Sequence, residues 1–129
     1  MPLTGHRVLL VEDDAIIAFD IICAVREAHG EVVGHATSLA AALRLADTPN
    51  LSSAILDFKL RSNNSLPVAA KLRAGGVPFL FHTGHPAAVA EAWPGAPILS
   101  KPATRSELLS SLVSLVTNRP DCSAASAMG

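Results

Sequence analysis

Several things are scarce in these 129 residues, and each scarcity removes a class of function. No stretch approaches the ~20 consecutive apolar residues of a membrane span, although half of the chain is hydrophobic and mean hydropathy is +0.38. The apolar run near the N-terminus, Val8 to Val11, is brief and runs straight into three acids, so it does not make a secretory signal. A cytoplasmic protein with no membrane attachment is expected. Net charge is -1, from ten basic and eleven acidic residues, which leaves no field to attract nucleic acid. Cysteine occurs only as Cys23, in a helical pattern, and Cys122, in a small-residue tail. No metal spacing links the two, and both are expected as free thiols in a reducing compartment. There is no internal repeat, and a chain of this length is expected to form one domain with its own core.

What is present is a series of short apolar runs that end in chemistry. Ser53-Ala54-Ile55-Leu56 stops abruptly at Asp57, as a strand covered on both faces does when it reaches a sheet edge. Val8-Leu9-Leu10-Val11 leads into Glu12-Asp13-Asp14, Phe79-Leu80-Phe81 into His82-Thr83-Gly84, and Pro97-Ile98-Leu99 into Ser100-Lys101-Pro102. A fifth strand is expected over Glu31 to Ala36.

Helical patterns separate these runs. Asp14 is placed to cap a helix whose inward stripe is Ala18, Ile21, Ile22, Val25 and Ala28, with Gly30 as its stop. Thr37 or Ser38 caps a second helix carrying Leu39, Ala42, Leu43 and Ala46. Ser65 is the expected cap of a third, reached through a loop from Arg61 to Asn64 and closed by Gly75-Gly76. Pro86 to Trp93 offers few large apolar groups and reads as a weak helix or a loop, with Trp93 as its anchor. Thr104 and Glu107 fit a capping box ahead of Leu108, Leu109, Leu112, Leu115 and Val116. Residues 119–129 are small, polar and interrupted by proline, and are expected as a disordered tail behind a domain of residues 1–118. Strands alternating with helices predict an α/β fold with a five-stranded, doubly wound parallel sheet. In such sheets ligands bind beyond the carboxyl ends of the strands, which is where the acids, the hydroxyl and the lysine fall.

In this order and spacing, Val8-Leu9-Leu10-Val11-Glu12-Asp13, Ile55-Leu56-Asp57, Phe81-His82-Thr83-Gly84 and Ser100-Lys101-Pro102 resemble the motifs of response-regulator receiver domains, over about residues 5 to 118. The resemblance implies the flavodoxin-like strand order 2-1-3-4-5. It also implies that Asp57 accepts a phosphoryl group from the phosphohistidine of a histidine kinase or histidine phosphotransfer protein. Hard oxygen ligands suit Mg²⁺, and Glu12, Asp13 and Asp57 form the expected cup, with the backbone carbonyl of Lys59 added by the resemblance. Lys101 is expected to bring a point charge to one phosphoryl oxygen and Thr83 a hydroxyl to another. A cis bond between Lys101 and Pro102 is implied as well. The surface of the fourth helix, fifth strand and fifth helix is the implied contact for a downstream protein.

Three positions depart from the family pattern or from that of a subgroup. Ile98 stands where most members carry Tyr or Phe, three residues before the lysine. Phe81-His82-Thr83-Gly84-His85-Pro86 is similar to a receiver subgroup named for Phe-Ala-Thr-Gly-x-Tyr, with His82 in place of the alanine and Pro86 in place of the tyrosine. Lys59 and His85, each two residues beyond a central site residue, are expected to modulate the lifetime of the phosphoryl bond. Otherwise His82 and His85, with no third ligand, read as packed or solvated, and His6, His29 and His35 as structural or exposed. The reading is a stand-alone phosphoacceptor that catalyses only its own phosphorylation and dephosphorylation. The alternatives are a degenerate receiver that binds a partner constitutively, and a small Mg²⁺-dependent phosphohydrolase. The second is disfavoured because Phe58-Lys59, and no second acid, follow Asp57.

Overall fold

The apolar runs become strands because both of their faces are covered. In the computed structural model, which describes residues 3–117, these are β1 (Arg7–Val11), β2 (Glu31–Ala36), β3 (Ser53–Leu56), β4 (Phe79–Thr83) and β5 (Ile98–Ser100). The expected tail 119–129 and Cys122 lie outside the described residues. All four neighbouring pairs are parallel, and the order across the sheet is β2-β1-β3-β4-β5. This is the predicted flavodoxin-like arrangement. Parallel pairs need crossovers, and these are supplied by α1 (Ala15–Glu27), α2 (Leu39–Leu45), α3 (Leu66–Ala74) and α4 (Pro86–Ala92), with α5 (Arg105–Thr117) closing the fold.

Strand alternation divides the core in two. Val8, Leu10, Ile55 and Leu80 pack with Ala18, Ile21, Ala24 and Val25 of α1 and with Leu108 and Leu112 of α5. Leu9, Val11, Ala54, Leu56, Phe79 and Phe81 pack on the other face with α2, α3 and α4. That second face holds a run of edge-to-face rings: Phe58 against Phe81 at 6.1 Å, Phe81 against Phe79 at 5.6 Å, and Phe79 against Trp93 at 5.5 Å. Trp93 is therefore the anchor expected of it, and the weak segment before it folds as a seven-residue helix with Val89 as its buried contact.

The caps are mostly the expected ones. Asp14 accepts from the N–H groups of Ile16 and Ile17, Ser38 from Ala41, and Thr104 and Glu107 satisfy each other's N–H groups. Ser65 differs: its hydroxyl is buried without a partner, and the side chain of Asn64 accepts from Leu66 in its place. The cause lies in the loop, where Lys59–Leu60 and Asn63–Asn64 pair as a small antiparallel hairpin that brings Asn64 to the start of α3. Ala24, which falls off the predicted stripe of α1, is fully buried, because α1 is covered by both the sheet and α5. Strand β5 begins at Ile98, one residue after the start of the apolar run Pro97-Ile98-Leu99.

The end of α1 also departs from expectation. His29 N donates to the Arg26 carbonyl and Gly30 N to that of Val25, so His29, at φ 69°, takes the left-handed position usually given to glycine. Gly30 is needed for a different reason: a Cβ there would stand 2.8 Å from Val25 Cγ1 and 3.1 Å from Leu3 Cβ. Two substitutions separate these constraints. Gly30→Ala is expected to lower the free energy of unfolding by about 1–3 kcal/mol through overpacking. His29→Gly is expected to raise it by about 0.5–1 kcal/mol by relieving the left-handed backbone. Urea unfolding of both variants measures the two effects, which have opposite signs.

Candidate functional site

The alternation that divides the core also sorts the polar residues at the strand tips. Continuing each strand by one step of its period places Glu12 on the side of Leu10, Asp57 on that of Ile55, His82 on that of Leu80 and Lys101 on that of Leu99, all on the α1–α5 face. Parallel strands in matching register bring these tips together, with Val11 opposite Leu56 and Thr83 opposite Ser100. Lys101 Nζ donates to Glu12 Oε1 at 3.0 Å and to Asp57 Oδ2 at 3.2 Å. Both carboxylates are buried, Glu12 at 1% exposure and Asp57 at 7%. The Lys101-Pro102 bond is cis, as the resemblance implied.

Asp13 completes the cluster from a half-buried position. One oxygen from each of Glu12, Asp13 and Asp57 lies within 4.8 Å of the others. Glu12 Oε2 also accepts from the N–H of Asp14, which ties the start of α1 to the same carboxylate. The donor set fits Mg²⁺, being all oxygen and all carboxylate. Its charge fits too, since with all four groups ionised one ammonium leaves two negative charges uncompensated in a largely buried cluster.

The titration behaviour reflects this crowding. Burial, then the hydrogen bond and charge of Glu12, push Asp57 up from its ordinary 3.8 to about 6, against the opposing pull of Lys101. Burial works to lower Lys101, but its contacts with Glu12 and Asp57 outweigh that and raise it. His82 is lowered by burial and then by the charge of Lys101, with Asp57 offsetting part of the effect.

Thr83 lies on the opposite step of β4 from His82 and is fully buried. Its hydroxyl accepts from the N–H of His85 at 2.9 Å, and its carbonyl accepts from the N–H of Lys101 at 2.8 Å. Thr83 thus fastens the lysine-bearing connection to β4, and its hydroxyl is engaged in the turn that starts α4. His85 and Lys59 are exposed. Among the other histidines, the His35 ring pairs with the Glu12 carbonyl at 2.8 Å, which joins the β2 edge to the site. The histidine that the sequence reading undervalued is His82: it is buried, and neither ring nitrogen has a partner. Its place in the strand period, one step beyond Leu80, was the available signal.

No family model matches the chain, and no curated protein matches it. Solved structures do. SdrG from Sphingomonas melonis Fr1 is 34% identical, with 90% of this chain and 98% of that one covered at a TM-score of 0.75. A response regulator receiver protein from Sinorhizobium medicae is 23% identical, covering 88% and 96% of the two chains at 0.78. The REC domain of the response regulator PhyR from Erythrobacter litoralis is 17% identical, covering 92% and 95% at 0.82, a likeness of fold.

The raised Asp57 has a measurable consequence. Between pH 3.8 and about 6 the folded chain holds a proton that the unfolded chain has released, so this group's contribution to stability falls as pH rises through that window. Above it, the full cost of the buried charge remains. Asp57→Asn removes that cost and is expected to stabilise the protein by on the order of 1–3 kcal/mol at pH 7.5, with the gain vanishing near pH 4. Urea unfolding at the two pH values checks this, and an equal gain at both contradicts it.

Proposed function

The chain belongs to the response-regulator receiver domains, and on that basis we propose that it is a phosphoacceptor switch of a two-component phosphorelay, with Asp57 as the acceptor. The observation that carries this reading is the convergence of Glu12, Asp13 and Lys101 on the Asp57 carboxylate at the ends of the strands. An oxygen of Asp57 attacks the phosphorus of a phosphohistidine. The P–N bond breaks, and its electron pair leaves with the imidazole of the donor. Mg²⁺, held by Glu12, Asp13 and Asp57 with the carbonyl of Lys59, would supply the positive charge that a carboxylate needs to meet an anionic phosphoryl group. Lys101, already poised on Asp57, moves with the transferred group and holds one of its oxygens. The Thr83 hydroxyl, released from the N–H of His85, takes another and so pulls on the start of α4.

The chain would act only on itself, catalysing its own phosphorylation and hydrolysis. The donor is a histidine kinase or a histidine phosphotransfer protein, and the setting is the cytoplasm. Support for a docked protein donor comes from α1, where Ile16 and Phe19 are 82% and 68% exposed beside the site. Output would pass through the α4–β5–α5 surface to a downstream protein or by onward phosphotransfer. No helix among the described residues is long and apolar enough to cross a membrane. A constitutive protein-binding receiver is the second reading; it is favoured by the engagement of the Thr83 hydroxyl with the backbone, and by Ile98 and Pro86 in the positions that relay the switch elsewhere in the family.

Incubation with acetyl phosphate and Mg²⁺ is expected to add one phosphoryl group to the wild type and none to Asp57→Ala. Lys101→Met is expected to slow that labelling by about a hundredfold while tightening Mg²⁺ binding, because the internal cation no longer competes for the carboxylates. Intact-mass and metal titrations read both effects, and an unlabelled wild type favours the constitutive reading. Lys59→Ala and His85→Ala are each expected to change the decay of the labelled protein by several-fold, since both side chains can reach the attacking water. A decay rate identical to wild type in both variants refutes that role.

A further inference from the structure

We propose that His35 is a positioning residue for the Mg²⁺ site: by donating from Nε2 to the Glu12 carbonyl, it fixes the peptide plane that aims the Asp13 carboxylate into the acidic cluster. The proposal rests on the metal-assisted part of the phosphoacceptor reading.

Two of the three carboxylates are held by other side chains. Lys101 Nζ lies 3.0 Å from Glu12 Oε1 and 3.2 Å from Asp57 Oδ2, and Glu12 Oε2 also accepts from the N–H of Asp14. Asp13 is the exception. It is half-buried, and among the described residues its carboxylate has no hydrogen-bond or ion-pair partner, so its direction is left to the backbone that carries it.

That backbone leaves the sheet one residue too early to be held by strand pairing. The β1–β2 pairing ends at Val11 opposite Ala36, and the last bond it provides runs from the Glu12 N–H to the Ala36 carbonyl at 3.0 Å. The next peptide, from Glu12 to Asp13, lies beyond it. A peptide is rigid and planar, so a group that holds this carbonyl also holds the Cα of Asp13. The His35 ring is that group, with Nε2 at 2.8 Å from the oxygen. A carbonyl only accepts, so the bond needs its hydrogen on Nε2. Consecutive residues of β2 therefore clamp consecutive peptide planes, Ala36 the one entering Glu12 and His35 the one leaving it.

A role in fastening β2 to β1 explains less. The pairs from Arg7–Glu31 to Val11–Ala36 join the strands without the ring, and His35 is exposed and belongs to neither half of the core. What the ring adds is one hydrogen bond where the chain passes from the sheet to the acidic cup. Such partners behind a metal's ligands set how well the ligands are aimed. Aim matters most to Mg²⁺, which demands near-ideal octahedral geometry, and less to Ca²⁺, whose coordination is flexible.

The test titrates the full chain with MgCl₂ and with CaCl₂ at pH 8, followed by NMR. His35→Ala is expected to weaken Mg²⁺ binding about three- to tenfold and Ca²⁺ binding by less than about twofold. His35→Gln, whose side-chain amide donates at a similar reach, is expected to restore Mg²⁺ binding to near the wild-type value. In an Asp13→Asn background, adding His35→Ala is expected to change Mg²⁺ affinity by less than about twofold, because the carboxylate being aimed is gone. His35→Leu keeps bulk without a donor; it is expected to match His35→Ala and decides the matter should the alanine variant fail to fold. Unchanged Mg²⁺ affinity in both variants, equal losses for the two ions, no rescue by glutamine, a loss undiminished without the Asp13 carboxylate, or a wild type that binds no Mg²⁺ overturns the proposal. Labelling of Asp57 by acetyl phosphate is followed separately: its failure in a wild type whose Mg²⁺ affinity depends on His35 removes the phosphoacceptor reading and leaves the positioning role.

Discussion

Two carboxylates are buried side by side with a single ammonium between them, and much of the molecule is arranged to hold them there. Glu12 and Asp57 sit at the ends of adjacent strands, where the charge of Glu12 at close range opposes the ionisation of Asp57. Lys101 bridges them from the end of β5, with β3 and β4 lying between β5 and β1, so the bridge closes only when β1, β3, β4 and β5 are all in register. Glu12 then reaches further: it accepts from Asp14 at the start of α1, while its carbonyl takes the His35 ring from beyond β1. Removing Lys101 would leave both carboxylates buried and uncompensated, a far larger penalty than losing an exposed ion pair.

The arrangement is poised rather than settled. Three acids against one lysine leave an excess of negative charge that suits a divalent cation, and Lys101 lies against two of the three carboxylates. Under the proposed function, the lysine is the piece that would move when a metal and a phosphoryl group arrive. Its backbone is the fixed point for that movement, since its N–H is held by the Thr83 carbonyl next to the cis bond to Pro102.

Much of this was legible in the linear chain because strand period and strand ends are local properties. Apolar runs bounded by turn residues located β1 to β5, and the chemistry at their tips fell where parallel sheets place it. The capping box at Thr104 and the cap at Asp14 were readable for the same reason: each involves residues no more than three apart. What escaped depended on distant neighbours. Ser65 lost its capping role to Asn64 because a hairpin repositioned the chain ahead of α3. Ala24 is buried because α5, some eighty residues later, covers α1. The left-handed turn went to His29 because Gly30 had to make room for Val25. The engagement of the Thr83 hydroxyl by the N–H of His85 depends on the path of the loop after β4, which periodicity does not describe.

One consequence follows from how side chains are shared between the two faces of the sheet. Among the described residues, Glu12, Asp57, Lys101 and His82 gather on the α1–α5 side, whereas every phenylalanine and tryptophan ring except that of Phe19 lies on the other, in one unbroken edge-to-face run from Phe58 to Trp93. Chemistry and bulk are thus kept in separate compartments with a single layer of backbone as the partition. Substitutions among the rings can therefore repack the aromatic compartment while the charged one keeps its contacts.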